Sequence, residues 1–235
     1  MKTLLLISLL APMIGFGQTV NIPDNNFKSY LINNPDVNSN NDSEIQVSEA
    51  NAFTGWINVH NKSISDLTGI EAFTNLTYLY CYDNQLTSLD LSSCNALTYL
   101  YCNGNQLTSL DVSSCTALTL LDCSNNQLEC LNVKNGNNTS FTLFFYAEGN
   151  PSLTCIEVDD VNYSTTNWTN IDSQTSFSTS CSNGGCSLDI TELNNTPKKL
   201  IKIVDILGIE TPFKPNTPLI YIYDDGTVEK KMVLK

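Results

Sequence analysis

The chain has 235 residues, enough for one solenoid domain and a small module. It carries 24 Asp and Glu against 11 lysines and no arginine, for a net charge of −13 at pH 7. Between Gln18 and Cys186 there are 17 acids but only 3 lysines (Lys28, Lys62, Lys134), and a body this acidic repels phosphate backbones, which excludes nucleic acid as a partner.

The first segment reads as a targeting signal. Lys2 gives a positive start, Leu4 to Ile14 form a short apolar run, and Gly15-Phe16-Gly17 supply small residues before Gln18. This layout predicts a secretory signal over residues 1–17, cleaved on export, and the run is too short to span a bilayer. No later run is longer or more apolar, so the mature chain is expected to have no transmembrane span and to be secreted or held at the outer surface.

Residues 18–53 read as an N-terminal cap. Asn25 to Leu31 predicts a short helix, followed by a loop from Asn38 to Glu49. Asn38, Asn40, Asp42 and Gln46 place side-chain oxygens at loop positions one, three, five and nine. Ile45 falls at position eight, the Glu44 carbonyl at seven and Glu49 at twelve, a spacing that resembles an EF-hand calcium loop. Two departures stand against it: Asn38 lacks the usual charge, and Ser43 sits where glycine makes the sharp turn. The alternative is a polar loop feeding a helix within EIQVSEANAF; if calcium binds, its role is structural.

Residues 54–186 carry an internal repeat. Leu76 opens LTYLYCYDNQLTSLDLSSCNA, Leu97 opens LTYLYCNGNQLTSLDVSSCTA and Leu118 opens LTLLDCSNNQLECLNVKNGNN, each 21 residues long. Ile57, Val59, Ile64 and Leu67 fit a degenerate coil before them, and Asn150, Leu153, Ile156 and Val158 fit a closing coil after an insertion. Irregular coils at both ends are what a stack needs to hide its outer apolar faces. Leu79 and Cys81 alternate with Tyr78, Tyr80 and Tyr82, which is a strand period with leucine and cysteine inward and tyrosine outward. Asn84, Asn105 and Asn126 recur at the corner after the strand, where an inward amide can pair backbone groups that the bend leaves open.

The frame L-x-x-L-x-C-x-x-N-x-L-x-x-L-x-[LV] resembles the leucine-rich repeat over roughly Trp56 to Val158. The resemblance implies a mainly β fold with minor α: a right-handed solenoid with a parallel sheet on its concave face. Coils this short are expected to carry turns or short extended pieces on the convex side. IPDNNFKSYL, EIQVSEANAFTG, ISDLTGIEAFTNL and CIEVDDVNYSTTNWTNIDSQTSFSTSC are similar to the caps of secreted Gram-negative surface proteins with the same coils.

The frame also names a candidate ligand face. Its outward strand positions are Trp56, Asn58 and His60, then Tyr78, Tyr80 and Tyr82, then Tyr99, Tyr101 and Asn103, then Leu120, Asp122 and Ser124. Stacked tyrosines support one another across strands, and they also offer a large amphipathic contact surface. The surrounding acidity favours a basic protein patch or a neutral glycan over an acidic ligand. Protein recognition at the surface is the leading reading and glycan capture the alternative. One histidine and no nucleophile-elbow motif give no case for an enzyme.

The nine cysteines divide by position. Cys81, Cys102 and Cys123 share one inward slot, and Cys94 and Cys115 another, as small core residues. Cys130 and Cys155 precede the last Leu or Ile of successive coils, which favours a bridge between them. Cys181 and Cys186 are further disulfide candidates.

From Ser187 the charge balance changes to 7 acids and 7 lysines. Lys199 to Gly208 and Leu219 to Tyr223 read as strands, with Pro212 to Pro218 as a connector. Asp225-Gly226 is a hairpin signal before Val228 to Leu234. KKLIKIVDILG and IYIYDDGTVEKKMVLK resemble the C-terminal sorting domains of type IX secretion cargo, which implies the type IX machinery as a partner of residues 187–235.

Overall fold

The computed structural model describes residues 17–141, 144–181, 200–204, 211–212, 219–223 and 228–231. Residues 1–16 of the expected signal segment 1–17, Cys186 and the Asp225-Gly226 turn lie outside them. The chain divides into two compact units, 1–186 and 187–235.

The first unit opens with helices α1 (Asn25–Ile32) and α2 (Val47–Ala52). Asp24 caps α1 by accepting from the backbone N–H of Asn26 and Phe27. Its other oxygen accepts from Ser65 N and Oγ, so one carboxylate ties the cap to the first coil. Burial raises its pKa, but the hydrogen bonds from Ser65, Phe27 and Asn26 outweigh it, and the net shift is downward.

The coils then supply β1 (Trp56–Asn58), β2 (Tyr78–Tyr80), β3 (Tyr99–Tyr101), β4 (Ser109–Asp111), β5 (Leu120–Asp122), β6 (Cys130–Asn132), β7 (Phe145–Tyr146) and β8 (Cys155–Glu157). Helix α3 (Val161–Asn167) and β9 (Ser176–Ser178) close the unit. The strands form two parallel sheets, ordered β1-β2-β3-β5-β7 and β4-β6-β8-β9. Two stacked parallel sheets agree with the expected leucine-rich-repeat solenoid, the second sheet supplying the short extended pieces expected of coils this short.

Because every coil repeats the last in register, like residues stack in columns. Leu79, Leu100 and Leu121 are fully buried, and Phe145 continues their column. Cys81, Cys102 and Cys123 form the next column, which Ala147 ends. Asn84, Asn105, Asn126 and Asn150 are buried at the corner, and each donates its amide to carbonyls of its own coil and of the coil before. The neighbouring corner holds Asn61, Asp83, Gly104, Asn125 and Gly149, all with positive φ. At Gly104 (φ 65°) a β-carbon would lie 2.5 Å from Asp83 Oδ1, so a larger residue there would have to displace that carboxylate as well as adopt the left-handed conformation that its neighbours in the column, Asp83 and Asn125, already take.

The far end is sealed by aromatics. The Trp168 ring stacks on Phe145 at 4.0 Å between centroids, with Phe141, Tyr163 and Phe177 edge-on around it. That plug replaces the leucines that a further coil would supply.

The bridge expected between Cys130 and Cys155 does not form: Cys155 is bonded to Cys181, with Cα atoms 5.9 Å apart. Cys130 and Cys155 do sit opposite one another in adjacent parallel strands. In-register parallel neighbours, however, hold their Cβ atoms about 4.8 Å apart and pointing the same way, beyond the about 3.8 Å a disulfide prefers. Cys181 comes after β9 and is free to turn toward Cys155. Cys130 is itself disulfide-bonded.

In the second unit β10 (Leu200–Val204), β11 (Leu219–Tyr223) and β12 (Val228–Lys231) form a three-stranded antiparallel sheet. The register Leu219↔Lys231 to Ile222↔Val228 pairs the two strands expected on either side of the Asp225-Gly226 turn.

Candidate functional site

The first sheet presents its outward residues in three rows, because parallel strands in register place equivalent side chains side by side. The first row is Trp56, Tyr78, Tyr99, Leu120 and Phe144; the second is Asn58, Tyr80, Tyr101, Asp122 and Tyr146. His60, Tyr82, Asn103, Ser124 and Glu148 make the third, in coil order.

The rings touch along the rows. Tyr78 meets Tyr99 edge-on at 4.8 Å, Tyr80 stacks on Tyr101 at 5.3 Å and His60 stacks on Tyr82 at 4.7 Å. Each such pair is worth about 0.5–1.5 kcal/mol beyond its buried area, so the ladder contributes to stability as well as to surface chemistry. His60 Nδ1 lies 2.7 Å from Asn58 Oδ1, which makes it the donor and fixes the ring. Burial, then the neighbouring Tyr80 and Asp122, push the Tyr101 hydroxyl up, so it stays a neutral donor. The edge strand is anchored from below, where Tyr30 Oη accepts from Asn58 N at 3.0 Å.

Of the twelve face positions read from the repeat frame, Leu120 and Ser124 are buried and the rest are half-buried or exposed. Phe144, Tyr146 and Glu148 complete the face and were not read from the frame. The step from Leu120 to Phe144 is 24 residues instead of 21, so counting forward loses them. Asn150 was the available signal: it occupies the asparagine corner, and counting back from it gives all three. Trp56 is 62% exposed and Phe144 44%, two large apolar side chains in water at opposite ends of one row.

The cap loop does not assemble the expected calcium shell. Glu49 Oε1 accepts from Ser39 N, Ser39 Oγ and Asn40 N, and Oε2 accepts from Gln46 N, so its carboxylate is filled by loop donors. Asn40 Oδ1 accepts from Asp42 N, Asp42 Oδ1 from Glu44 N, and the Glu44 carboxylate pairs with Lys28 at 2.7 Å. Asn38 turns its amide nitrogen to the carbonyls of Ile32 and Asp42 and leaves its buried Oδ1 unpaired. The left-handed residue is Asn41 (φ 56°), and Ser43 at loop position six does not take up the glycine conformation that an EF-hand needs there. As they stand, these residues do not fit calcium. Among the described residues no group of three or more His, Cys, Asp or Glu could hold a metal ion.

The cysteine columns offer no reactive thiolate. Burial pushes the thiols of Cys81, Cys94 and Cys115 up to about 12 and those of Cys102 and Cys123 well upward, so all five stay protonated.

Comparison with known proteins places this site in context. Residues 35–143 match the leucine-rich-repeat domain family of the endo-beta-N-acetylglucosaminidase EndoS. A segment of 36 residues is 56% identical to internalin J of Listeria monocytogenes; it is 15% of this chain and 4% of that protein. The structure of the functional domain of InlJ from that organism, which includes a cysteine ladder, is similar at 27% identity and a TM-score of 0.46, covering 71% of this chain and 48% of that one. An internalin (inlF) of the same species gives 19% identity and a TM-score of 0.45, covering 70% and 46%. The chain thus spans about half the length of these structures.

Proposed function

We propose that the chain is a non-enzymatic recognition module of the bacterial exterior that holds a polypeptide on the aromatic face of β1-β2-β3-β5-β7. The observation that carries this is the contiguous three-row aromatic surface, with Trp56 and Phe144 left open to water at its ends. An aromatic patch of this kind on a rigid sheet is costly to leave wet without a partner, and rings lose little entropy when a partner covers them. The family match is to a leucine-rich-repeat domain and not to glycosidase sequence, which supports recognition over turnover.

The test is Tyr80→Ser with Tyr101→Ser, measuring both melting and capture of a surface-protein fraction. Loss of binding by about tenfold or more, with melting lowered by only a few degrees, is expected. Lost stability with intact binding would mean that the rings are scaffold and the ligand sits elsewhere.

Glycan capture is the second reading, favoured by one feature. The exposed Trp56 indole borders a groove of 490 Å³ lined also by Asn34, Asp36, Phe53 and Thr54. An aromatic plate beside amide and carboxylate groups suits a sugar ring and its hydroxyls. Trp56→Ala should then abolish response on a glycan array and leave protein capture largely intact.

The reading includes export by the type IX route through residues 187–235, supported by the resemblance of that segment and by its forming a unit of its own. Deletion from Ser187 onward is expected to leave the circular dichroism and melting of the solenoid nearly unchanged and to strand the protein in the periplasm of its host. Normal surface delivery of the truncated chain would overturn the sorting role.

A further inference from the structure

We propose that Asp122, held between Tyr101 and Tyr146, is the receptor for one arginine side chain of the bound polypeptide. This deepens the reading of the aromatic face and rests on it. The register puts the three residues side by side in the middle row, on adjacent strands β3, β5 and β7. Asp122 Oδ1 accepts from Ser124 N at 3.1 Å and Ser124 Oγ at 2.6 Å, which fixes the carboxylate plane. No donor among the described residues reaches Oδ2.

The charge is also without a cation of its own. The ion pair among the described residues joins Lys28 to Glu44. Lys62 lies over the Tyr30 ring, and Lys134 donates to Thr179 O. Of the fifteen residues in the three rows, the charged ones are Asp122 and Glu148, both negative. A half-buried carboxylate with one open oxygen, flanked by two electron-rich rings, attracts a cation from two directions at once: by charge and by the ring faces.

Arginine fits better than lysine. Its guanidinium is planar, so it can lie against a tyrosine ring while its edge donates to the carboxylate, and it is less strongly hydrated than an ammonium. The raised pKa of Tyr101, to which Asp122 contributes after burial and Tyr80, agrees with the carboxylate lying close to the hydroxyl. Glu148, two residues beyond Tyr146 on the same face, adds a second negative charge toward which a basic segment would run.

The test is a heteronuclear NMR titration of the full chain with arginine amide, lysine amide and citrulline amide. Arginine should shift the signals of Tyr101, Asp122 and Tyr146 together along one saturating curve; lysine should act more weakly, and uncharged citrulline not at all. Asp122→Asn keeps the acceptor for Ser124, so it should fold normally and weaken the arginine response about tenfold. Tyr146→Ser should weaken it by a smaller factor at unchanged charge. Shifts spread evenly over exposed carboxylates such as Asp90 and Asp111, or a response that survives in Asp122→Asn, would overturn the assignment. If arginine fails while the Tyr80/Tyr101 double variant still loses its partner, only the Asp122 assignment falls. If that double variant keeps its partner, the reading of the face itself falls.

Discussion

Replacing Asn105 with alanine is expected to cost the solenoid about 2–4 kcal/mol, a large part of the about 5–15 kcal/mol that a folded domain has in hand. The asparagine is 7% exposed and works in both directions. Its amide nitrogen donates to Cys81 O and Cys102 O, both at 3.0 Å, and its oxygen accepts from Leu86 N at 3.0 Å. One side chain thus joins its own coil to the preceding one at a bend where the backbone cannot pair with itself. Alanine would strand the buried Leu86 N–H, which costs about 1–3 kcal/mol, and would take one of two amide donors from Cys81 O and Cys102 O, which keep Asn84 and Asn126 respectively. Because a coil cannot keep its core without its neighbours, the loss should appear as one cooperative shift. Urea unfolding should show a lower midpoint at unchanged slope. A change below about 1 kcal/mol would mean that water replaces the amide and that the asparagine column is not what holds the corner.

The sequence made the stack legible because a solenoid repeats its constraints. The inward leucines and cysteines and the asparagine corner can each be read three times over in regular coils and the outward tyrosines twice, and all of them appear in the structure where the frame puts them. Legibility failed where the repeat broke. The insertion before Phe144 hid the last strand of the face, and with it Tyr146 and Glu148. The aromatic plug around Trp168 lies in a closing segment with no repeat to compare it with. Cys130 and Cys155 show a different limit. A shared slot in successive coils gives proximity, but disulfide formation depends on Cβ direction, and parallel strands hold those vectors side by side. The face itself was readable from alternation alone. What it binds was not, because rings that stack in a ladder and rings that wait for a partner are spelled the same way.

Glu49 sits at the one place where spacing suggested a metal and the structure supplies backbone instead. The residue is 9% exposed, and its carboxylate accepts four hydrogen bonds, from Ser39 N and Oγ, Asn40 N and Gln46 N, at 2.9 to 3.2 Å. Three of those donors are main-chain N–H groups, one of them at the start of α2, so the side chain caps the helix and closes the loop together. Glu49→Ala should therefore destabilise the cap by about 2–4 kcal/mol, since charge-assisted bonds are the stronger kind and their donors would be left open. Glu49→Gln keeps one acceptor oxygen and should lose about half as much. With α2 released, buried Ile45 and Ala50 would be uncovered and the first coil beneath them exposed, so the alanine variant should aggregate on heating. Calcium separates the two accounts of this loop. An ion present at a hundred times its Kd would add about 2.7 kcal/mol to the folded state and raise the melting point by several degrees. With the carboxylate occupied by its own loop, millimolar calcium is expected to move the wild-type melting point by less than about 1 °C. A larger rise, abolished in Glu49→Gln, would show instead that the loop gives up its internal hydrogen bonds to bind the ion.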